Sequence, residues 1–268
     1  AVGVEELTQT NEWWIRGPLL NTLGYFGLGT DARDYFEARR VYVRLDQSFG
    51  RGNAVATAQL RAQVERGRSL GAGDPWTVLG GSTRPNLPID DGTISSLLSS
   101  LFGGWRGTGA QLDAGGSVEV AGSALGGDFS FTRFVLWGEW AMHAFRDHTL
   151  EVEWQLRGPF PGTRSLPRQR WSFVGGSGTL PTFETAQFRG DRLAFVESAY
   201  IIPLPERWSL PIIGAPDLEI VHAAGMAWTE AERRGLEQNI GVRLVFLSPY
   251  LRVVTDPSDP IDALEIGI

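Results

Sequence analysis

Much of this chain alternates between apolar and polar residues. From Ala54 to Val64 the even positions are Ala54, Ala56, Ala58, Leu60, Ala62 and Val64. The odd positions from Thr57 are Thr57, Gln59, Arg61 and Gln63. Leu150, Val152, Trp154 and Leu156 alternate in the same way with Glu151, Glu153, Gln155 and Arg157. A period of two places successive side chains on opposite faces of a strand, so each run predicts a strand with one apolar face. The pattern returns in Arg40–Asp46, Gln111–Val120, Phe129–Phe145 and Asn239–Leu247. In Phe129–Phe145, Phe134, Leu136, Trp140 and Met142 share one face, and Arg133, Glu139 and His143 the other. Several runs reach the roughly 9–11 residues that a tilted membrane strand needs, beyond the ~5–6 of an ordinary soluble strand. Counting from Trp13 to Ile268 gives about twelve candidates, and bacterial barrels of this kind have even strand numbers.

The pattern predicts an all-β chain folded as an antiparallel transmembrane β-barrel of about twelve strands. Residues 12–268 read as one barrel domain, and residues 1–11, polar and without a clear period, as an N-terminal extension. The aromatic pair Trp13–Trp14 heads the first apolar segment, where it would anchor at lipid headgroups or cap a core. Gly71–Pro88 is rich in Gly and Pro around a short strand at Trp76–Leu79. Ile94, Leu97, Leu98, Leu101 and Phe102 have helical spacing after the candidate caps Asp90 and Thr93, which predicts a short helix inside one long loop. Ala231–Glu237 and Asp256–Pro260 read as polar loops.

Composition sharpens the membrane reading. Of the ionisable side chains, 24 are Lys or Arg, and every one is Arg. Gly numbers 34, Trp 10 and Phe 14. A Gly-rich, Trp-rich chain suits a barrel with aromatic residues at the membrane interface, although a GC-rich genome would also favour Arg over Lys. No apolar run is long enough for a transmembrane helix. The net charge of -7 argues against a general nucleic-acid binder. With no cysteine there is no thiolate metal site or thiol chemistry. With no lysine there is no phosphate loop of the Gly-rich-Lys type.

Candidate chemistry is sparse. His143, His148 and His222 lack metal-ligand spacing, and no cofactor site is read. A Ser-His-acid hydrolase of lipid would need an exposed Ser near His143 or His148, and no Gly-x-Ser-x-Gly is present. A soluble barrel or sandwich binding an apolar ligand is a further alternative, because the same alternation serves it with inside and outside exchanged. Glu151 and Glu153 share a face about 7 Å apart by strand rise. In a barrel they are lumen charges, together with Arg44, Arg61, Arg133, Glu139 and Arg243. Mixed signs predict ion pairs that stiffen and partly fill the lumen, so the barrel should conduct poorly.

The remaining stretch, Arg170–Leu204, reads as strand, Gly-rich loop, strand. The loop carries Leu180, Phe183 and Phe188, large apolar residues that predict burial against the barrel wall or within its mouth. Gly175–Gly176 is followed by Leu180-Pro181-Thr182-Phe183, then Gly190–Asp191, then Ala199-Tyr200-Ile201-Ile202-Pro203-Leu204. In order and spacing this resembles the BamA/TamA, or surface-antigen, family of bacterial outer-membrane proteins. Gly175, Gly176, Phe183, Arg189, Gly190 and Asp191 carry the loop motif. The family's loop Arg falls on Pro181, the following Gly on Thr182, and the Arg of the closing strand on Ile201. Leu218–Trp228 resembles the family's penultimate region, with Ala223 where an Asp is frequent, and the final run ends in Ile268 where many barrels end in an aromatic residue. The resemblance implies a non-enzymatic barrel of the bacterial outer membrane, working in insertion or translocation or as a structural or assembly subunit. It implies contact with outer-membrane lipid and with other membrane or periplasmic proteins. With the family's Arg missing, Arg189, Asp191 or Arg192 is expected to hold the loop by pairing with a lumen residue on another strand.

Overall fold

The alternating runs form long antiparallel strands because each can bury one face and pair both backbone edges. The structure is a computed structural model and describes residues 1–10, 33–71, 86–163, 165–209, 214–233, 235–246, 250–258 and 262–267. Trp13–Trp14, the expected strand at Trp76–Leu79 and the terminal Ile268 lie outside the described residues.

The strands are β1 Val2–Thr10, β2 Tyr35–Arg51, β3 Ala54–Ser69, β4 Gly92–Arg106, β5 Ala110–Ala121, β6 Phe131–His143 and β7 Thr149–Pro159. Then come β8 Ser172–Val174, β9 Phe188–Gly190, β10 Arg192–Pro203, β11 Asp217–Trp228, β12 Glu237–Val245, β13 Tyr250–Thr255 and β14 Asp262–Gly267. Twelve of them form one sheet in which each strand pairs with the next, from β1 to β7 and on through β10 to β14. Every pairing is antiparallel. The short strands β8 and β9 pair only with each other, inside the connection between β7 and β10. Residues of that connection touch β3 and β5 on one side and β10, β11 and β12 on the other, so the sheet wraps around it as a barrel.

The register sends the apolar set outward. Leu45 is 66% exposed, Leu60 44%, Leu101 59% and Val253 43%. Their neighbours on the other face, including Glu65, Glu119 and Arg252, are buried. Large apolar residues outside and charges inside are the reverse of a soluble fold, which excludes the soluble ligand-binding alternative. The barrel is transmembrane.

Two expectations are corrected. The stretch expected to be a helix is strand β4. Its helical spacing arises because both faces carry apolar residues: Leu97 and Leu101 point outward, while Ile94 is buried inside with Ala121, Phe131 and Leu166. Serines fill the remaining positions and hide the period. The segment set apart as an extension begins with β1, paired along its length with β2. Its period is blurred because Val2 and Val4 are followed on the same face by Glu6, which bridges the exposed Arg39 at 3.0 Å.

Leu60→Arg or Val152→Arg is expected to cost about 2–4 kcal/mol near the membrane midplane. Gln59→Arg, on the lumen face, is expected to cost less. Folding into liposomes measures both, and equal tolerance of the two sets would reject this orientation.

Candidate functional site

The connection between β7 and β10 folds back into the barrel because its sequence cannot stay in water. Val174, Leu180 and Phe188 are buried against Leu193 and Phe195 of β10 and Ala223 and Ala227 of β11. Phe183 packs against this cluster and meets Phe188 edge to face, with ring centroids 5.1 Å apart. The glycines of the motif permit the fold. Gly175 and Gly176 have φ of 115° and 82°, in the region that side chains disfavour, and any Cβ on Gly190 would collide with the backbone of Trp228. Thr179 fastens the turn, its hydroxyl accepting from the Gly175 N–H at 2.9 Å. Asn239 of β12 clamps the tip: its side-chain oxygen accepts from the Thr182 N–H at 3.2 Å, and its amide donates to the Thr182 hydroxyl at 2.7 Å.

The charged anchor is Arg170, at the end of a 3-10 turn, Arg168–Arg170. Its guanidinium donates to Glu65 of β3 at 2.9 Å, and to both oxygens of Glu119 of β5 at 3.1 and 3.2 Å. Glu119 also accepts from Arg133 of β6 at 2.6 Å and from Ser96 of β4 at 3.0 Å. Glu65 also pairs with Arg40 of β2. The Arg170, Glu65 and Glu119 side chains are 8%, 0% and 2% exposed. Charges so buried persist only when paired and hydrogen-bonded, and here each carboxylate is met by two guanidiniums. One loop residue thereby joins two strands that are not neighbours in the sheet.

This corrects the expected anchor. Arg189 is exposed on β9, and its side chain makes no hydrogen bond or ion pair among the described residues. Arg192 bridges Glu230, in the turn after β11, at 3.0 Å, and Asp191 at 3.1 Å. The buried Asp191 accepts from the Leu166 N–H at 3.4 Å, and burial pushes its carboxyl above the ordinary range. Arg170 was passed over because a loop has no period to set its charges apart.

The remaining predicted charges lie mostly on the inner face. Arg61 stacks on Tyr42, 4.0 Å from the ring centroid, and reaches Glu5 at 3.6 Å. Arg44 pairs with its near neighbour Asp46 at 2.9 Å. Arg243 bridges Glu219 at 2.6 Å and Glu197 at 3.4 Å, and Arg252, missed from sequence, reaches Glu197 at 3.2 Å. Asp113, Glu139, Glu153 and Glu197 stand directly opposite one another on successive strands β5, β6, β7 and β10. Glu151 lies on the same face of β7. Among the described residues no group of His, Cys, Asp and Glu could hold a metal ion. His148 Nδ1 lies 2.8 Å from the Tyr200 hydroxyl, a phenol in place of the serine that a hydrolase would need there.

The fold and the buried loop define a class: a membrane β-barrel whose lumen is occupied by one of its own connections. Two solved structures share this fold. CdiB from Acinetobacter baumannii matches with a TM-score of 0.59 and 13% identity, over 87% of this chain and 42% of that one. BamA from Haemophilus ducreyi, lacking POTRA domains 1-3, matches with a TM-score of 0.55 and 13% identity, over 87% of this chain and 53% of that one. This chain thus spans about half the length of the CdiB and BamA chains that it matches. The likeness to BamA read from the loop motif holds at the level of fold. No protein-family model matches the sequence, and no curated protein matches it.

Arg170→Met is expected to cost about 3–5 kcal/mol, the penalty for removing one partner of a buried ion pair. Arg189→Gln is expected to leave stability unchanged. Urea unfolding followed by heat-modifiable gel mobility compares them, and equal effects would remove Arg170 from its role.

Proposed function

We propose that this chain is the barrel of an outer-membrane protein that inserts or translocates other proteins, with its lumen shut at rest by the latched loop. The observation that carries the reading is Arg170 held between Glu65 and Glu119, which fixes a loop across the lumen of a barrel with the fold of CdiB and BamA. A barrel that served only as an open pore would have no need of a buried, fully paired latch.

The connections support an orientation. β2 and β3 are joined by Gly52–Asn53, and β4 and β5 by residues 107–109. At the other end lie the long connections before β2, β4 and β10. Barrels of this kind turn short connections to the periplasm and long ones outward. The loop then plugs the outer mouth, the apolar band meets outer-membrane lipid, and protein partners approach from the periplasm. The carboxylates Asp113, Glu139 and Glu153 face the half of the lumen nearer the short turns.

The test has two readouts on the protein in liposomes and planar bilayers. The intact chain should pass little current and should speed the folding of an unfolded barrel substrate into the same liposomes. Deletion of Gly178–Gly190, or Arg170→Ala, should raise the conductance. Low conductance without acceleration would reject the insertion reading and leave a structural or assembly subunit. Large currents from the intact chain would reject the plug.

A further inference from the structure

The lumen wall nearer the short turns carries carboxylates that the latch does not use. Elsewhere on the inner face Glu5, Glu65, Asp113, Glu119, Glu197 and Glu219 each lie within ion-pair distance of an Arg. Glu139 on β6 and Glu151 and Glu153 on β7 make no ion pair or side-chain hydrogen bond among the described residues. Glu139 and Glu153 stand directly opposite one another, and Glu197 is next in the same row. The guanidiniums around them are engaged by other carboxylates. Arg106 donates to Asp113 at 2.6 Å, Arg243 to Glu219 at 2.6 Å, and Arg252 to Glu197 at 3.2 Å. Gln155 continues the same face of β7, two residues beyond Glu153. It is 9% exposed, and its buried amide oxygen has no hydrogen-bond partner among the described residues. The wall can be reached from the short-turn end. A cavity of about 310 Å³ lies there beside Gly107 and Gly109 of the β4–β5 connection, with Gln111, Thr149 and Glu151 in its lining.

We infer that this wall of β6 and β7 binds an extended basic segment of another polypeptide through Glu139, Glu151 and Glu153. Three carboxylates and one amide oxygen adjoin there as acceptors, and a guanidinium or ammonium is the group that brings donors and positive charge without acceptors of its own. The chain pairs its other inner carboxylates and leaves these three, so the missing cations come from outside it. A neutral sugar would leave the three charges uncompensated, and no group of residues among those described could hold a metal ion. The spacing suits an extended partner. Glu151 and Glu153 lie about 7 Å apart along their strand, which is the separation of alternate side chains in any extended chain. Basic residues at positions i and i+2 of the segment therefore meet them in register, while Glu139 flanks Glu153 from the next strand. Latch and wall do not compete, because Arg170 holds Glu65 and Glu119. This substrate class deepens the reading of the barrel as one that inserts or translocates proteins, on which it rests.

Fluorescence anisotropy on the detergent-solubilised full chain at low salt tests this with a labelled short peptide of alternating Thr and Arg. The same peptide with citrulline in place of Arg keeps the shape and loses the charge. The Arg peptide should bind at least about tenfold more tightly than the citrulline peptide, the worth of one charged hydrogen bond. Glu153→Gln and Glu139→Gln should each weaken it by about tenfold. Glu139 is exposed to the lumen, so its variant should keep the heat-modifiable mobility of the parent, which separates lost binding from lost folding. Glu5→Gln removes an inner carboxylate already paired with Arg40 and should leave the affinity unchanged. Equal binding of the two peptides, unchanged affinity in both Glu139→Gln and Glu153→Gln, or an equal loss in Glu5→Gln would overturn the site. Displacement of the peptide by spermidine at the peptide's own concentration would assign the carboxylates to a small polyamine and overturn the polypeptide. Accelerated folding of a barrel substrate without peptide binding would remove this site and leave the insertion reading, and peptide binding without acceleration would do the reverse.

Discussion

The arrangement depends on a buried guanidinium that two carboxylates share. Desolvating a charge is costly, and an ion pair in a protein interior only offsets that cost when its geometry is good and its remaining donors are used. Arg170 meets the requirement by holding both oxygens of Glu119 and one of Glu65. Only a planar fork can do this across two separate strands; an ammonium on a flexible stem presents no such fixed directions. The carboxylates are in turn held by Arg133, Arg40 and Ser96. Loss of any one member leaves a buried charge short of a partner, so the network holds as a unit.

The loop that carries Arg170 packs differently on its two sides. Toward the first half of the barrel it presents Arg170 with Leu166 and Trp171, against strands β3 to β6. Toward the second half it presents Val174, Leu180, Phe183 and Phe188, against β10 and β11. The first set fixes position through directional bonds, and the second adds non-directional burial. A barrel with the twelve strands of the described residues is too wide for its own wall side chains to fill, and this loop supplies the missing core. The glycines at 175, 176 and 190 follow from the crowding, since each stands where backbone presses on backbone or turns with positive φ.

Most of the strands were legible because lipid imposes a uniform demand: every second residue of a spanning strand must be apolar. Where that demand weakens, so does the signal. Ile94 in β4 faces the plug, so the inner face is apolar there as well and the period of two disappears. In β1 the outward Glu6 pairs with Arg39 beyond the apolar band, so the alternation ends within the strand. The loop motif of glycines and aromatics was readable because it marks backbone shape. The anchor was not, because its position is set by where the turn Arg168–Arg170 lands in space, against partners far away in sequence.

That separation has a consequence for the order in which the barrel can assemble. Neighbouring strands of the sheet follow one another in the chain, so most of the wall can form hairpin by hairpin with short loop closures. The bond from Arg170 to Glu65 spans 105 residues and cannot form until β3 and β5 already stand in place. The apolar side of the loop finds its cover only when β10 and β11 arrive. A β3 or β5 shifted by one residue would turn its glutamate to the lipid side, and Arg170 would then find no carboxylate to dock against.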